Sequence, residues 1–191
     1  MRKLLLFLFM FPFTLFAATK VGIIGDSISV ETGVSYVDFL KERLAAEGKQ
    51  VEIINRSFSG AKSDTAMQIA VGLITKERPD YILIFLGIND AGCNTSQDIL
   101  QHNFEEAFSK IGTNCKKVIL GGVNCERVNS SYNIILVQTY LHLIERYHPH
   151  AVVLLPEEVL PYTIDGIHPN PIGARMIANN LYYALQEVGV F

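Results

Sequence analysis

The chain is poor in basic residues, which excludes one large class of function. Of its 191 residues, 18 % are charged, with 16 lysines and arginines against 19 acidic residues. Without Arg2 and Lys3, which open an apolar leader, 14 basic residues remain and the net charge is −5. Nucleic-acid-binding proteins carry clustered basic surfaces, so this balance argues against a nucleic-acid partner.

Residue patterns typical of metal and cofactor sites are also missing. His148 and His150 flank a proline, but no third or fourth ligand stands at a useful spacing, so we predict a solvated loop there. Gly22 and Gly25 do not extend into a Gly-x-Gly-x-x-Gly fingerprint, because an Asp-Ser pair comes next. We therefore predict no metal and no cofactor, and we disfavour a flavodoxin-like nucleotide binder.

No apolar run is long enough for a comfortable transmembrane helix, which needs about 20 residues. The run from Leu4 to Phe16 follows two basic residues and precedes Ala17 and Ala18, as in a secretory signal peptide. We predict a signal peptide over residues 1–18 and a periplasmic or secreted protein with no stable transmembrane segment after cleavage. An uncleaved N-terminal anchor is the alternative.

Internal repeats, low-complexity runs and linkers rich in proline, glycine or serine are all absent. A mature chain of about 170 residues is enough for one hydrophobic core. We therefore predict a single domain over residues 19–191, acting as a monomer.

Apolar runs alternate with segments of helical spacing. Near-continuous runs, typical of strands buried on both faces, lie at Val21–Ile24, Val51–Ile54, Tyr81–Leu86, Val118–Leu120 and Ala151–Leu155. Helical spacing recurs in Val37, Leu40 and Leu44; in Met67, Ile69, Ala70 and Leu73; in Ile134, Val137, Leu141 and Ile144; and in Ile177, Leu181, Leu185 and Val188. The alternation predicts an α/β fold in which helices cover both faces of a five-stranded parallel sheet.

The parts of an activated serine stand at the carboxyl ends of predicted strands, where such folds bind ligands. Ser27 follows the first strand, and Asp165 and His168 lie in the loop after the fifth. A serine nucleophile needs a base, and the base needs a group that fixes its tautomer. We predict Ser27 as nucleophile, His168 as general base and Asp165 as the orienting carboxylate. Alone, each residue has an alternative as a turn, cap or surface-loop residue.

Two further polar segments, Asn55–Gly60 and Leu86–Asp90, lie between these residues. In order, GDSIS, the glycine Gly60, GIND and DGIHPN resemble the four sequence blocks of the SGNH (GDSL-type) ester hydrolases. The one departure is Ile28, where leucine is usual. The resemblance covers nearly the whole chain after the leader, and it implies a three-layer α/β/α sandwich with the flavodoxin-like strand order 2-1-3-4-5.

The resemblance also implies an oxyanion hole. Its donors map onto the backbone N–H groups of Ser27 and Gly60 and onto the side chain of Asn89. Such donors stabilise the charge that develops in acyl transfer. Glycine suits position 60 because a residue without Cβ lets the backbone approach a substrate closely.

The sequence therefore predicts a secreted or periplasmic serine hydrolase that cleaves carboxylic esters, thioesters or lysophospholipids through an acyl-enzyme. Connections too short to form a lid indicate an open, shallow site. Apolar residues near the strand ends are predicted to line it: Ile28, Ile88, Val123, Tyr162, Ile164 and Ile167. The alternatives are a polysaccharide O-acetylesterase and an SGNH-like module that binds cell-envelope carbohydrate or lipid without turnover.

Three cysteines allow at most one intramolecular disulfide. Cys115 and Cys125 flank the predicted fourth strand, and ten extended residues span about 33 Å, far beyond disulfide reach. In the implied strand order, Cys93 and Cys125 follow neighbouring strands at the same sheet edge. A Cys93–Cys125 bridge is therefore our hypothesis for an exported protein.

Overall fold

The structure is a computed structural model that describes residues 17–111, 117–122, 130–148, 151–154 and 161–191. All but two residues of the expected signal peptide lie outside these ranges, so that peptide stays a prediction. Within the described ranges, no helix is both long enough and apolar enough to cross a membrane.

Five described strands form one parallel sheet. They are β1 (Thr19–Gly25), β2 (Val51–Asn55), β3 (Tyr81–Phe85), β4 (Lys117–Gly122) and β5 (Ala151–Leu154). The sheet order is β2-β1-β3-β4-β5, and every neighbouring pair is parallel. All residues of the central strand β3 are buried, because helices cover both faces of the sheet. The predicted strand order is confirmed.

The described residues also form six α-helices: α1 (Tyr36–Ala46), α2 (Ser63–Glu77), α3 (Ile88–Gly92), α4 (Gln97–Ile111), α5 (Ser130–Tyr147) and α6 (Pro171–Glu187). On one face, Val37 and Leu40 of α1 pack in a core with Ile177 of α6. On the other face, α2, α4 and α5 contribute to a second core that contains Phe104 and Tyr140. These two cores confirm the three-layer α/β/α sandwich.

The first turns of the helices are stabilised in different ways. Helix α1 has a capping box, in which Ser35 and Asp38 bond each other's backbone N–H groups. The side chain of Asn170 accepts N–H bonds from the first turn of α6, with Pro171 in its first position. Helix α2 follows Lys62, which makes no side-chain capping bond. A residue from elsewhere must serve that helix end.

The helical spacings identified in the sequence do not include that of helix α4. Its buried residues include Leu100, Phe104 and Phe108, four positions apart, in a segment whose remaining residues are mostly polar. That spacing is helical, but a stripe of single apolar residues is a weak signal beside the longer apolar segments. Packing against α2 and α5 buries the stripe.

The helical spacing of Ile134, Val137, Leu141 and Ile144 predicts the helix that α5 forms, but it does not mark the buried face of that helix. Ile134, Val137 and Leu141 share helical spacing, yet they are 58 %, 42 % and 59 % exposed. The helix instead buries a second set with the same spacing, which includes Leu136 and Tyr140. Both sets satisfy the helical period, so periodicity alone does not identify the face that meets the core.

Candidate active site

Ser27 lies where β1 ends, in a one-turn 3₁₀ helix of residues Ser27–Ser29. The Asp26 side chain accepts the Ile28 N–H at 3.0 Å, and the Asp26 carbonyl accepts the Ser29 N–H at 3.0 Å. These two bonds fix the turn that presents the Ser27 side chain. Asp26 is therefore the N-cap of this turn. The cap helps to present Ser27, so it does not argue against a catalytic role of the serine.

The segment that carries Asp165 and His168 is a small hairpin-like loop before α6. Thr163 and Pro169 form an antiparallel bridge. The Ile164 N–H donates to the His168 carbonyl at 2.8 Å. These backbone bonds hold the imidazole on an ordered loop.

The structure joins the three predicted catalytic side chains in one chain of hydrogen bonds. Ser27 Oγ lies 2.9 Å from His168 Nε2, and His168 Nδ1 lies 2.8 Å from Asp165 Oδ2. Residues 141 positions apart in sequence thus meet at the carboxyl edge of the sheet. With the Nδ1 proton directed to the carboxylate, Nε2 is free to accept the serine proton.

Asp165 is held in its ionised form. Its Oδ1 accepts the backbone N–H groups of His168 at 2.8 Å and of Ile167 at 2.9 Å. The bonds from the His168 backbone and imidazole, followed by that from Ile167, hold the pKa of the Asp165 carboxyl well below its usual range. A carboxylate that stays charged orients the neutral imidazole and stabilises its protonated form.

Asp26 has the opposite environment. The residue is 1 % exposed, and burial raises the pKa of its carboxyl to about 6. The Ile28 N–H and the nearby His168 oppose this rise. Sequence reasoning did not foresee a buried titrating carboxyl beside the nucleophile, because the Asp-Ser turn itself gives no sign of burial.

Gly60 adopts a conformation that favours glycine. Its φ is +77°, in the left-handed region that other residues rarely enter. A Cβ built there would meet nothing within 4 Å, so the space beside it is open to a ligand. The residue therefore serves the backbone conformation as well as the close approach that the sequence indicated.

Asn89 lies in the short helix α3, which starts after Gly87. Gly87 has φ +123°, and a Cβ there would lie 2.5 Å from Leu136 Cδ1. The positive φ favours glycine here, and any Cβ would also displace the Leu136 side chain. Asn89 Nδ2 donates one hydrogen to the Ala61 carbonyl at 3.0 Å, which leaves its second N–H for a ligand.

The loop that carries Gly60 is also tied to the turn that carries Ser27. Asn55 Nδ2 donates to the Ser29 carbonyl at 2.8 Å, and Asn55 Oδ1 accepts the Ser57 N–H at 3.1 Å. The Phe58 N–H donates to the Gly25 carbonyl at 3.2 Å. The sequence analysis missed this link, although Asn55 at a strand end was a signal for it.

The predicted pocket residues have different fates. Ile28 is 4 % exposed and belongs to the core between the sheet and helices α1 and α6, so its assignment to the pocket wall is corrected. Ile88 and Ile167 are partly buried against the same core. Tyr162 and Ile164 are 37 % and 76 % exposed beside the histidine loop. Val123 lies outside the described residues.

The described residues bear on only part of the metal and disulfide predictions. Among the described residues, no group of three or more His, Cys, Asp and Glu side chains is placed to hold a metal ion. Cys93 is exposed and forms no disulfide with another described residue, whereas Cys115 and Cys125 lie outside the described ranges. The Cys93–Cys125 bridge stays a prediction, which non-reducing peptide mapping of the exported protein would check.

A hydroxyl, an imidazole and a carboxylate in this order, at the carboxyl edge of a parallel α/β sheet, form a site of the serine-hydrolase class. The model of the GDSL-like lipase/acylhydrolase family matches residues 23–176, which is most of the chain. The chain belongs to this family, so it is a carboxylic ester hydrolase.

Individual relatives agree with this assignment. Esterase TesA of Pseudomonas aeruginosa is 26 % identical over 173 residues, which cover 88 % of this chain and 82 % of the relative. An arylesterase of Vibrio mimicus is 27 % identical over 174 residues, with 85 % and 86 % covered. The crystal structure of TesA gives a TM-score of 0.80 over 89 % of this chain and 99 % of that one.

Proposed function

We propose that Ser27 is the nucleophile of this ester hydrolase, with His168 as general base and Asp165 as the orienting carboxylate. The observation that carries the proposal is the 2.9 Å contact between Ser27 Oγ and His168 Nε2. Nε2 accepts the hydroxyl proton as Oγ attacks the ester carbonyl carbon. The imidazolium that forms is stabilised by the adjacent Asp165 carboxylate.

The tetrahedral intermediate carries its negative charge on the former carbonyl oxygen. In our proposal, the Ser27 and Gly60 backbone N–H groups and the free N–H of Asn89 stabilise that charge. His168 then donates its proton to the departing alkoxide, and the acyl group remains on Ser27. Water, deprotonated by His168, attacks this acyl-enzyme and releases the acid.

The surroundings of the triad favour an open substrate site. The side chains of Asp165 and His168 are each 41 % exposed, and Ile164 beside them is largely exposed. An open site accepts esters whose acyl and alcohol parts extend into solvent on either side. We propose short acyl or aryl esters, thioesters, lysophospholipids or acetylated polysaccharide as the substrate range to be tested.

We also propose that the protein is exported to the periplasm or secreted. The support is the leader in the sequence, where an apolar run follows two basic residues and ends at Ala17 and Ala18. Mass spectrometry of the N-terminus, from fractionated cells that express the full chain, tests this. A chain that keeps residues 1–18 and stays with the membrane would replace export with anchoring.

The catalytic assignment is tested with a fluorophosphonate probe and a short-chain chromogenic ester. We expect the probe to label Ser27 alone and to abolish ester turnover in parallel. Ser29, Ser57 and Ser59 are internal controls close to the same strand ends, and labelling at any of them would overturn the assignment. A protein that binds esters but neither turns them over nor reacts with the probe would be the binding module.

A further inference from the structure

Helix α2 obtains its missing N-terminal cap from the residue next to Asn89. Asp90 Oδ2 accepts the backbone N–H of Ser63, the first residue of α2, at 3.0 Å. Asp90 Oδ1 accepts the Ser63 hydroxyl at 2.7 Å. Lys62, in the usual capping position, makes no side-chain capping bond. A carboxylate from the short helix α3, 27 residues away, thus serves the end of this helix.

The cap is part of a buried network. Asp90 is 1 % exposed and Ser63 is 0 % exposed. Asn103 Nδ2 of helix α4 donates to Ser63 Oγ at 2.8 Å, so this hydroxyl accepts one bond while it donates another to Asp90. Burial raises the pKa of the Asp90 carboxyl, and the two bonds from Ser63 oppose the rise. Buried polar groups arranged in this way are costly to disrupt.

The network joins the two segments that supply the oxyanion hole. Asn89 Nδ2 holds the Ala61 carbonyl, and Asp90 holds the N–H and hydroxyl of Ser63. Adjacent residues of α3 thereby fix both ends of the stretch that begins directly after Gly60. Fixing that stretch sets the position of the Gly60 N–H relative to the Asn89 amide.

We propose that Asp90 is a positioning residue for catalysis, a clamp that keeps the Gly60 N–H and the Asn89 N–H aimed at one point. The proposal rests on the proposed function, because it concerns the oxyanion hole assigned there. Asp90 does not touch the substrate. It acts through the loop, and a loop displaced by about 1 Å weakens charge stabilisation in the transition state by as much as about a hundredfold.

Asp90→Asn is the sharpest test. An asparagine of nearly the same shape has one acceptor oxygen, whereas Ser63 presents two donors in the N–H and the hydroxyl. In the structure each Asp90 oxygen accepts one of these bonds, so the variant replaces one of the two acceptors with an NH₂ group and removes the charge that strengthens both bonds. We expect kcat to fall by about 10- to 100-fold with little change in KM, because the hole acts on the transition state. In ¹⁵N-labelled protein, the Ala61 amide, which donates to the Phe58 carbonyl at 3.2 Å, should also exchange with solvent faster than in the wild type.

Asp38→Asn is the matched control. Asp38 forms the capping box at the start of α1 through similar bonds to Ser35, but it contacts no part of the oxyanion hole. We expect it to lower the melting temperature while kcat and Ala61 amide exchange stay within about twofold of the wild type. A fall in melting temperature alone, in Asp90→Asn as in this control, would reduce Asp90 to a structural cap and overturn the proposal.

Ser63→Ala keeps the test decisive if Asp90→Asn does not fold. It removes the hydroxyl and retains the N–H bond to Asp90, so we expect a smaller fall in kcat, about 3- to 10-fold, again at constant KM. An unchanged kcat would contradict the clamp. Probe labelling separates the two hypotheses: a wild type not labelled at Ser27 refutes the proposed function, whereas normal labelling with unaffected variants refutes only the clamp.

Discussion

Two aspartates contact or adjoin the Ser27–His168 pair, and their environments shift their pKa values in opposite directions. Asp26 is buried under the nucleophile turn, and burial raises the pKa of its carboxyl to about 6. Asp165 has a side chain that is 41 % exposed, and its bonds to His168 and Ile167 hold its pKa well below the usual range. The comparison shows that hydrogen bonds to the charged form lower the pKa of Asp165 although this side chain is exposed. At Asp26, the bond from the Ile28 N–H does not offset the burial that raises the pKa.

The difference divides the tasks. The depressed pKa of Asp165 keeps its carboxyl charged at neutral pH, which suits the orienting role proposed for it beside His168. Asp26 becomes charged as the pH rises through about 6, and its carboxyl accepts the Ile28 N–H. In the proposed mechanism one carboxyl therefore acts on the reaction, and the other shapes the turn at a cost in stability near neutral pH.

The largest expected effect comes from the residue between the two aspartates. Ser27→Ala should lower ester turnover by about 10⁴- to 10⁶-fold, because the nucleophile is lost. The circular dichroism spectrum should not change, since among the described residues the hydroxyl bonds only His168. A variant with near wild-type kcat, and with contaminating esterase excluded by active-site titration, would contradict the assignment.

Asp165→Asn should lower kcat by up to about 10⁴-fold, because a neutral amide neither holds the productive tautomer nor stabilises the imidazolium. Steady-state kinetics with a chromogenic ester measure this. Asp80, which accepts the Lys20 N–H at the opposite sheet edge, provides the control in Asp80→Asn. If Asp165→Asn kept full activity, Asp165 would serve only as the turn residue of its loop.

Asn89→Ala should lower kcat by about 10²- to 10³-fold with a smaller change in KM, as for the loss of one oxyanion donor. The same variant frees the Ala61 carbonyl, so part of the loss comes from the displaced loop. A loss confined to KM would show that Asn89 binds the substrate equally in the ground and transition states.

Asp26→Asn tests the buried member of the comparison through stability. The folded protein keeps the Asp26 proton up to about pH 6, whereas the unfolded chain releases it near pH 4. The wild type should therefore lose up to about 3 kcal/mol of unfolding free energy as the pH rises through this window, relative to the variant. Urea unfolding of both proteins at pH 4 and pH 7 measures the difference, and equal pH profiles would show that Asp26 does not titrate in this range.

Asp165 should have the smallest effect on stability, and its contribution to stability should change with pH in the opposite direction to that of Asp26. Its folded pKa is depressed, so its contribution to stability is present above about pH 4 and is lost as the pH falls further. Solvent screens a side chain this exposed, so the change should be clearly smaller than that for Asp26. Comparing Asp165→Asn with the wild type below pH 4 checks the sign, and a larger effect than that of Asp26 would reverse the comparison.

The proposed catalytic residues could be named from the sequence because each stands in a short local pattern. Gly-Asp-Ser after an apolar run, Gly60, Asn89 in a glycine-led turn, and Asp165 three residues before His168 are all visible in the sequence. The alternation of strands and helices then places every one of them at the same sheet edge. The strand order 2-1-3-4-5 came from the family resemblance, since periodicity does not encode which strands are neighbours.

Other features depended on contacts between distant segments. The exposed face of α5 and the buried position of Ile28 depend on which surfaces pack together. The sequence does not distinguish an apolar side chain in the core from one exposed to solvent. Asp90 looks like a turn residue in the sequence until α2 brings Ser63 against it and α4 brings Asn103 against Ser63.

By itself the sequence predicted the order of the elements and, with the family resemblance, the reacting groups that we propose, because local patterns and backbone preferences are short-range. Only the tertiary structure decided the 2.9 Å contact between Ser27 and His168, the burial of Asp26 and the cap that Asp90 gives to α2. Solvation and hydrogen bonding depend on the groups that the fold places around a side chain. Two aspartates of the same chemical type therefore have pKa values on opposite sides of the usual value.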